Sequence, residues 1–108
     1  MLAQITVQEL AQKLKAGDPV FLLDVRQPEE HAIAALPGSV LIPLQQLPNR
    51  FAELQPPPGA QVVVYCHHGI RSLRGAGFLA QQGFEDVASL AGGIDAWSRE
   101  IDPQVPCY

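Results

Sequence analysis

The chain has 108 residues, 47% of them hydrophobic and 17% charged, with a formal net charge of -4 at pH 7. That length suits one domain spanning residues 1–108, with enough surface to bury a core of its own, and the composition excludes a disordered chain. The mild negative charge and the lack of a Lys/Arg cluster argue against a nucleic-acid partner, and no apolar run is long enough to cross a bilayer.

In chain order, TVQELAQKLKAG predicts a helix marked at both ends. Thr6 is its N-cap, and Glu9 three residues on completes a capping box. Val7, Leu10, Ala11 and Leu14 form its apolar face, and Gly17 fits the left-handed position past its end. Pro19 to Val25 reads as a strand, and Val20 to Leu23 is apolar without alternation, as in strands covered on both faces. QPEEHAIAAL predicts a short helix with Pro28 in its first turn. The chain turns at Pro37-Gly38 into a short strand, Val40 to Ile42. LQQLPNRFAEL predicts helix in two pieces, interrupted by Pro48, and QPPPGAQ a stiff loop. VVVY, residues 62–65, is the second strongly apolar strand. RSLRGAGFLAQQG predicts a helix starting near Arg71 or Ser72, with Leu73, Ala76, Leu79 and Ala80 inward and Gly83 as its stop. Val87 to Leu90 is a further strand. A last helix starts at the pair Gly92-Gly93, with Trp97 as a core anchor, and IDPQVPCY is irregular.

Strands and helices alternate along the whole length. With unbroken apolar strands, this predicts an α/β fold: a parallel sheet with helices on both faces. Ligands of such sheets sit beyond the carboxyl ends of the strands. Two polar clusters fall there: Asp24-Val25-Arg26 after VFLL, and Cys66 onward after VVVY.

The segment CHHGIRS, residues 66–72, lies between a buried strand and a helix start. A helix start offers unpaired N–H donors and about half a positive charge. Gly69 allows backbone angles that other residues resist, and N–H groups curled inward form an anion nest. A thiol at the centre of such a nest is favoured in its anionic, nucleophilic form. Arg71, His67 and His68 can add positive charge. Such a thiolate can attack sulfur and carry it as a persulfide, or attack phosphorus and carry a phosphoryl group. Both uses need the nucleophile, the backbone donors and a cation.

The adjacent pair His67-His68 has no C-x-x-C or H-x-x-x-H companion, so neither metal nor cofactor is expected and the histidines face solvent or substrate. Asp24 and Arg26 either support the loop or form a structural ion pair. Arg74 reads as a surface residue, and Cys107 as an exposed bystander or, alternatively, a sulfur-relaying thiol. Two cysteines make no disulfide framework. The first ten residues show no basic segment followed by an apolar stretch, which predicts no leader and a cytoplasmic protein.

Four segments in order resemble the rhodanese family: LLDVRQPEEH, LPGSVLIPL, VVVYCHHGIRS and LAGGIDAW. The resemblance spans essentially the whole chain. It implies a five-stranded parallel sheet and sulfurtransferase activity. A donor such as thiosulfate would load Cys66, and a thiol or protein acceptor would take the sulfur. Cys66 would be the nucleophile. The backbone of His67, His68, Gly69, Ile70, Arg71 and Ser72 would be the cradle, with Arg71 contacting the anion. Related phosphatases and arsenate reductases carry one more residue between Cys and Arg, whereas Cys66 to Arg71 spans six residues inclusive. A non-catalytic or regulatory binding module on the same fold is the other alternative. Two positions depart from the family pattern. Ala34-Ala35 precede Leu36-Pro37-Gly38-Ser39 where Gly-His is usual, and His31 stands in place of an aromatic residue.

Overall fold

The computed structural model describes residues 3–108. In chain order the elements are β1 (Gln4–Ile5), α1 (Val7–Ala16), β2 (Val20–Asp24), α2 (Pro28–Ile33), β3 (Val40–Leu41), α3 (Leu47–Arg50), β4 (Gln61–Tyr65), α4 (Ile70–Gln81), β5 (Val87–Leu90) and α5 (Gly93–Glu100). Short 3₁₀ turns, Leu44–Gln46 and Phe51–Glu53, flank α3. The sheet order is β1-β5-β4-β2-β3, and every pair is parallel. The five-stranded parallel α/β fold expected from the sequence is therefore the fold observed.

Side chains alternate across a strand, so each strand feeds two cores. Leu22, Val63, Tyr65, Ala88 and Leu90 pack on one face with Leu10 of α1 and Ile94 and Trp97 of α5. Leu23, Val62, Val64 and Val87 pack on the other with Ala76 and Leu79 of α4 and Leu47 of α3. Burial on both faces is why VFLL and VVVY read as continuous apolar runs. Trp97 is a core residue, as expected.

The cap of α1 forms as its sequence predicts. Glu9 N–H donates to Thr6 Oγ1 at 3.1 Å, and Thr6 N–H to Glu9 Oε1 at 2.9 Å. Gly17 takes φ 78° past its end.

Several local expectations are corrected. β1 went unread because two residues carry no pattern; it exists through its pairing with Ser89 and Leu90. Leu14 is exposed, whereas Val7 and Leu10 of α1 are buried and Ala11 packs against the core. Pro48 does not interrupt a helix: it sits in the first turn of α3, where its missing N–H is no loss. Helix α4 starts at Ile70, one residue earlier than Arg71. Its inward face is Ser72, Gly75, Ala76 and Leu79, while Ala80 is exposed and Leu73 half-buried. Ala76 and Leu79 are inward as expected; a Cβ on Gly75 would meet Val64 at 3.3 Å and Val25 at 3.4 Å, so closeness to the sheet favours glycine there. Among the described residues, no helix is long and apolar enough to cross a membrane.

Candidate active site

Cys66 continues the alternation of β4 by one residue, so its side chain shares the α4 face with Val62 and Val64. The residue is 1% exposed. Two backbone N–H groups converge on Sγ: Gly69 at 3.1 Å and Ser72 at 3.3 Å. The Ser72 hydroxyl lies 3.5 Å from the sulfur and 2.7 Å from the Ser89 hydroxyl of β5. Ser72 is in the first turn of α4, where N–H groups have no intrahelical partner and the helix dipole favours negative charge. Of the cradle expected from His67 to Ser72, the Gly69 and Ser72 N–H groups are the ones that reach the sulfur among the described residues.

The loop is clamped from the far side by the start of α5. Ile94 N–H donates to the Cys66 carbonyl at 2.9 Å, and Asp95 N–H to the His67 carbonyl at 3.0 Å. Two glycines make this approach possible. Gly69 has φ 102°, and a Cβ there would come within 3.2 Å of Gly92 N and 3.3 Å of the Leu90 carbonyl oxygen. Gly93 has φ 61°, and its Cβ would fall 2.5 Å from the Cys66 carbonyl oxygen and closer still to that of His67.

Arg71 is half-buried beside the loop, but its charge is spoken for. Both terminal nitrogens donate to Glu30, at 2.7 and 3.0 Å. Arg71, then the Gln27 backbone N–H, hold the Glu30 carboxyl down to about 2 against the opposing effect of burial. The hydrogen bond to Glu30 in turn raises Arg71.

Asp24 and Arg26 form a buried ion pair. Both are fully buried, joined by Nε–Oδ1 and Nη2–Oδ2 contacts of 2.9 and 2.7 Å. Burial works against charge on Arg26, but hydrogen bonds to Asp24 and Tyr108 outweigh it. Among the described residues, neither Asp24 nor Arg26 hydrogen-bonds to residues 66–72. Both departures from the family pattern have partners here. His31 Nδ1 lies 2.8 Å from Asp24 Oδ2, and the carbonyl of the buried Ala34 accepts from Arg26 Nη2 at 2.5 Å. Nearby, the Ser39 hydroxyl bonds the Leu36 carbonyl and lies 2.8 Å from the Tyr65 hydroxyl.

His67 and His68 stack at 4.0 Å between ring centroids. Burial, then the neighbouring His68, lowers the His67 imidazole below its ordinary value. His68 Nε2 is 4.0 Å from the Asp95 carboxylate, which already pairs with Arg99 at 2.9 Å. His67, His68 and Asp95 thus bring three ligand-type atoms within 4.8 Å, a grouping the sequence reading did not foresee. Ile70 of the loop is open to solvent, at 72%. Arg74 is on the surface, and Cys107 is free and exposed. A surface hollow of about 320 Å³, lined by Pro56, Pro57, Phe84 and Asp86, lies at the opposite, amino-terminal end of β4 and β5.

Sequence reasoning missed Glu30 and Tyr108. The Tyr108 ring lies on His67 at 3.9 Å and 7°, and its hydroxyl reaches Arg26 and Glu30. A capping-box acid three residues after Gln27 was a signal for Glu30: its carboxylate accepts the Gln27 N–H at 3.0 Å. No local pattern marked Tyr108.

The model of the rhodanese-like domain matches residues 6–100. A sulfurtransferase of Allochromatium vinosum is 37% identical over 105 residues, covering 97% of this chain and 96% of that protein. The chloroplastic rhodanese-like/PpiC domain-containing protein 12 of Arabidopsis thaliana is 41% identical over 113 residues, and here the chain spans only 36% of its relative's length. The crystal structure of a rhodanese-related protein from Thermoplasma volcanium superposes with a TM-score of 0.80 at 30% identity, covering 92% of this chain and 93% of that one. The family match runs from the cap of α1 to the end of α5 and takes in both glycines of the clamp: the chain belongs to the family of rhodanese-like domains.

Proposed function

We propose that the chain is a sulfurtransferase in which Cys66 carries sulfane sulfur as a persulfide. The observation that carries this reading is the Cys66 sulfur, held by the Gly69 and Ser72 N–H groups at the start of α4. In the first step the Cys66 thiolate attacks the outer sulfur of a donor such as thiosulfate. A Cys–S bond to that sulfur forms, the donor's S–S bond breaks, and sulfite leaves with the electron pair. The thiolate of a small molecule or protein then attacks the outer sulfur and returns Cys66 to thiolate. Burial of Cys66 suits this chemistry. A persulfide carries the transferable atom about 2 Å beyond the cysteine sulfur, which extends the reach of a residue that is itself largely buried. The six-residue loop favours one sulfur over a tetrahedral phosphate, which needs a wider nest. That a full-length relative is named a sulfurtransferase adds support.

The test is to incubate the protein with thiosulfate and weigh it intact. The expected result is a gain of one sulfur atom that Cys107→Ser retains and Cys66→Ser loses. No gain, or a gain that survives Cys66→Ser, overturns the reading.

A further inference from the structure

The segment after α5 returns to the site. It turns at Asp102, whose side chain accepts the Gln104 N–H at 3.0 Å and whose carbonyl accepts the Val105 N–H at 3.1 Å. Val105 is buried in the core on the α1 and α5 face. Pro103 and Pro106 restrict the backbone on either side of that anchor. The Tyr108 ring then lies flat on His67.

The Tyr108 hydroxyl sits between two charged groups. It accepts from Arg26 Nη1 at 2.6 Å and donates to Glu30 Oε2 at 2.8 Å. Arg26 is a fixed post, fully buried and held by Asp24 and the Ala34 carbonyl. The Glu30 carboxylate therefore receives four hydrogen bonds: two from Arg71, one from the Gln27 N–H and one from Tyr108. Burial, and the Glu30 carboxylate after it, push the Tyr108 phenol up to about 12, so it remains a donor at neutral pH. The carboxylate that Tyr108 steadies is the one that cancels the Arg71 charge. Arg71 is the cation nearest in sequence to the Cys66 nest, five residues on.

We propose that Tyr108 is a positioning residue: it holds Glu30 over Arg71, so the segment after α5 sets how much positive charge the Cys66 loop shows to an incoming anion. The importance of this for sulfur donors rests on the sulfurtransferase reading, but its test does not. In a Cys107→Ser background, Cys66 is alkylated with iodoacetate, an anion, and with iodoacetamide, which is neutral. The ratio of the two rates reports the cation available at the loop and divides out changes in the thiol itself.

Tyr108→Phe keeps the stack on His67 and removes both hydroxyl bonds. It should raise the ratio about threefold, within the range of a half-exposed ion pair. Glu30→Gln should raise it about fivefold. The double variant should match Glu30→Gln alone, because both changes act through one carboxylate. A Tyr108→Phe ratio equal to the parent's overturns the proposal, as does a double variant equal to the product of the singles. A merely structural role for Tyr108 would shift the melting temperature and leave the ratio unmoved. If the ratio responds while thiosulfate adds no sulfur, only the sulfurtransferase reading falls.

Discussion

Replacing Gly93 by alanine tests whether the start of α5 clamps the Cys66 loop. Three effects add. A non-glycine residue at φ 61° is in the left-handed region, which costs about 1–2 kcal/mol. The new Cβ would stand 2.5 Å from the Cys66 carbonyl oxygen and 2.6 Å from the His67 carbonyl carbon. These are backbone atoms, so no rotamer change relieves the clash. Backing α5 away stretches the Ile94 and Asp95 hydrogen bonds to the two carbonyls, each worth about 1 kcal/mol. The sum is about 3–4 kcal/mol, a large part of the ~5–15 kcal/mol stability of an ordinary domain.

Gly83→Ala supplies the control. Gly83 has φ 98°, but a Cβ there meets nothing within 4 Å. It therefore reports backbone strain alone, about 1–2 kcal/mol. Urea unfolding of both variants measures the difference, with the slope checked for constancy. Gly93→Ala should be the less stable by about 2 kcal/mol or more, and its Cys66 should alkylate faster because the nest has loosened. Equal losses in the two variants would refute the clamp, leaving Gly93 with only a conformational role.

Three further outcomes follow from the same geometry. Asp24→Asn leaves Arg26 buried without its counter-charge and should cost about 3–5 kcal/mol in urea unfolding; a loss under 1 kcal/mol would mean the pair is not sealed. Ser72→Ala removes the partner of the buried Ser89 hydroxyl and should cost about 1–3 kcal/mol, while the Ser72 N–H still reaches Cys66. Glu30 should make stability acid-sensitive. Its folded carboxyl takes a proton only near 2, against an ordinary 4.5, so between those values the unfolded chain binds more protons and stability falls as pH falls. The stabilisation is complete above 4.5 and gone below about 2. Its size is at most ~3 kcal/mol, reduced to about 1 kcal/mol by solvent at the rim. Glu30→Gln should flatten that limb of the stability–pH curve, and an unchanged limb would contradict the assignment.

What the sequence disclosed is what short-range chemistry controls. The buried strands β2 and β4 declared themselves as apolar runs, because a strand covered on both faces cannot alternate. The α1 cap was legible because its partners, Thr6 and Glu9, are three residues apart. Cys66 was legible because a strand end, a glycine and a helix start are adjacent in the chain. The inward face of α4 was legible in part: Ala76 and Leu79 are buried as expected, but Gly75 is fixed by its smallness against Val64 and Val25, which hydrophobicity does not register. Arg71 was recognised and its neutralisation was not: Glu30 lies 41 residues away. Tyr108 lies further still, 78 residues from Glu30. A contact at that separation depends on how the sheet folds the chain back, and no local spacing encodes it.

Two helix starts divide the labour at the site. The first turn of α4 sends N–H groups to the sulfur, through Ser72, while the first turn of α5 sends N–H groups to the carbonyls behind it, through Ile94 and Asp95. The stabilisation offered to a charged sulfur thus comes first from backbone dipoles fixed before any ligand arrives, the form of charge stabilisation that needs no reorganisation during reaction. The side-chain cation is in the opposite condition. Arg71 is half-exposed, fully matched by Glu30, and released only as far as Glu30 and Tyr108 allow. On the proposed sulfurtransferase reading, the rigid part of the site would serve any small anion, and the adjustable part would be where donors are discriminated.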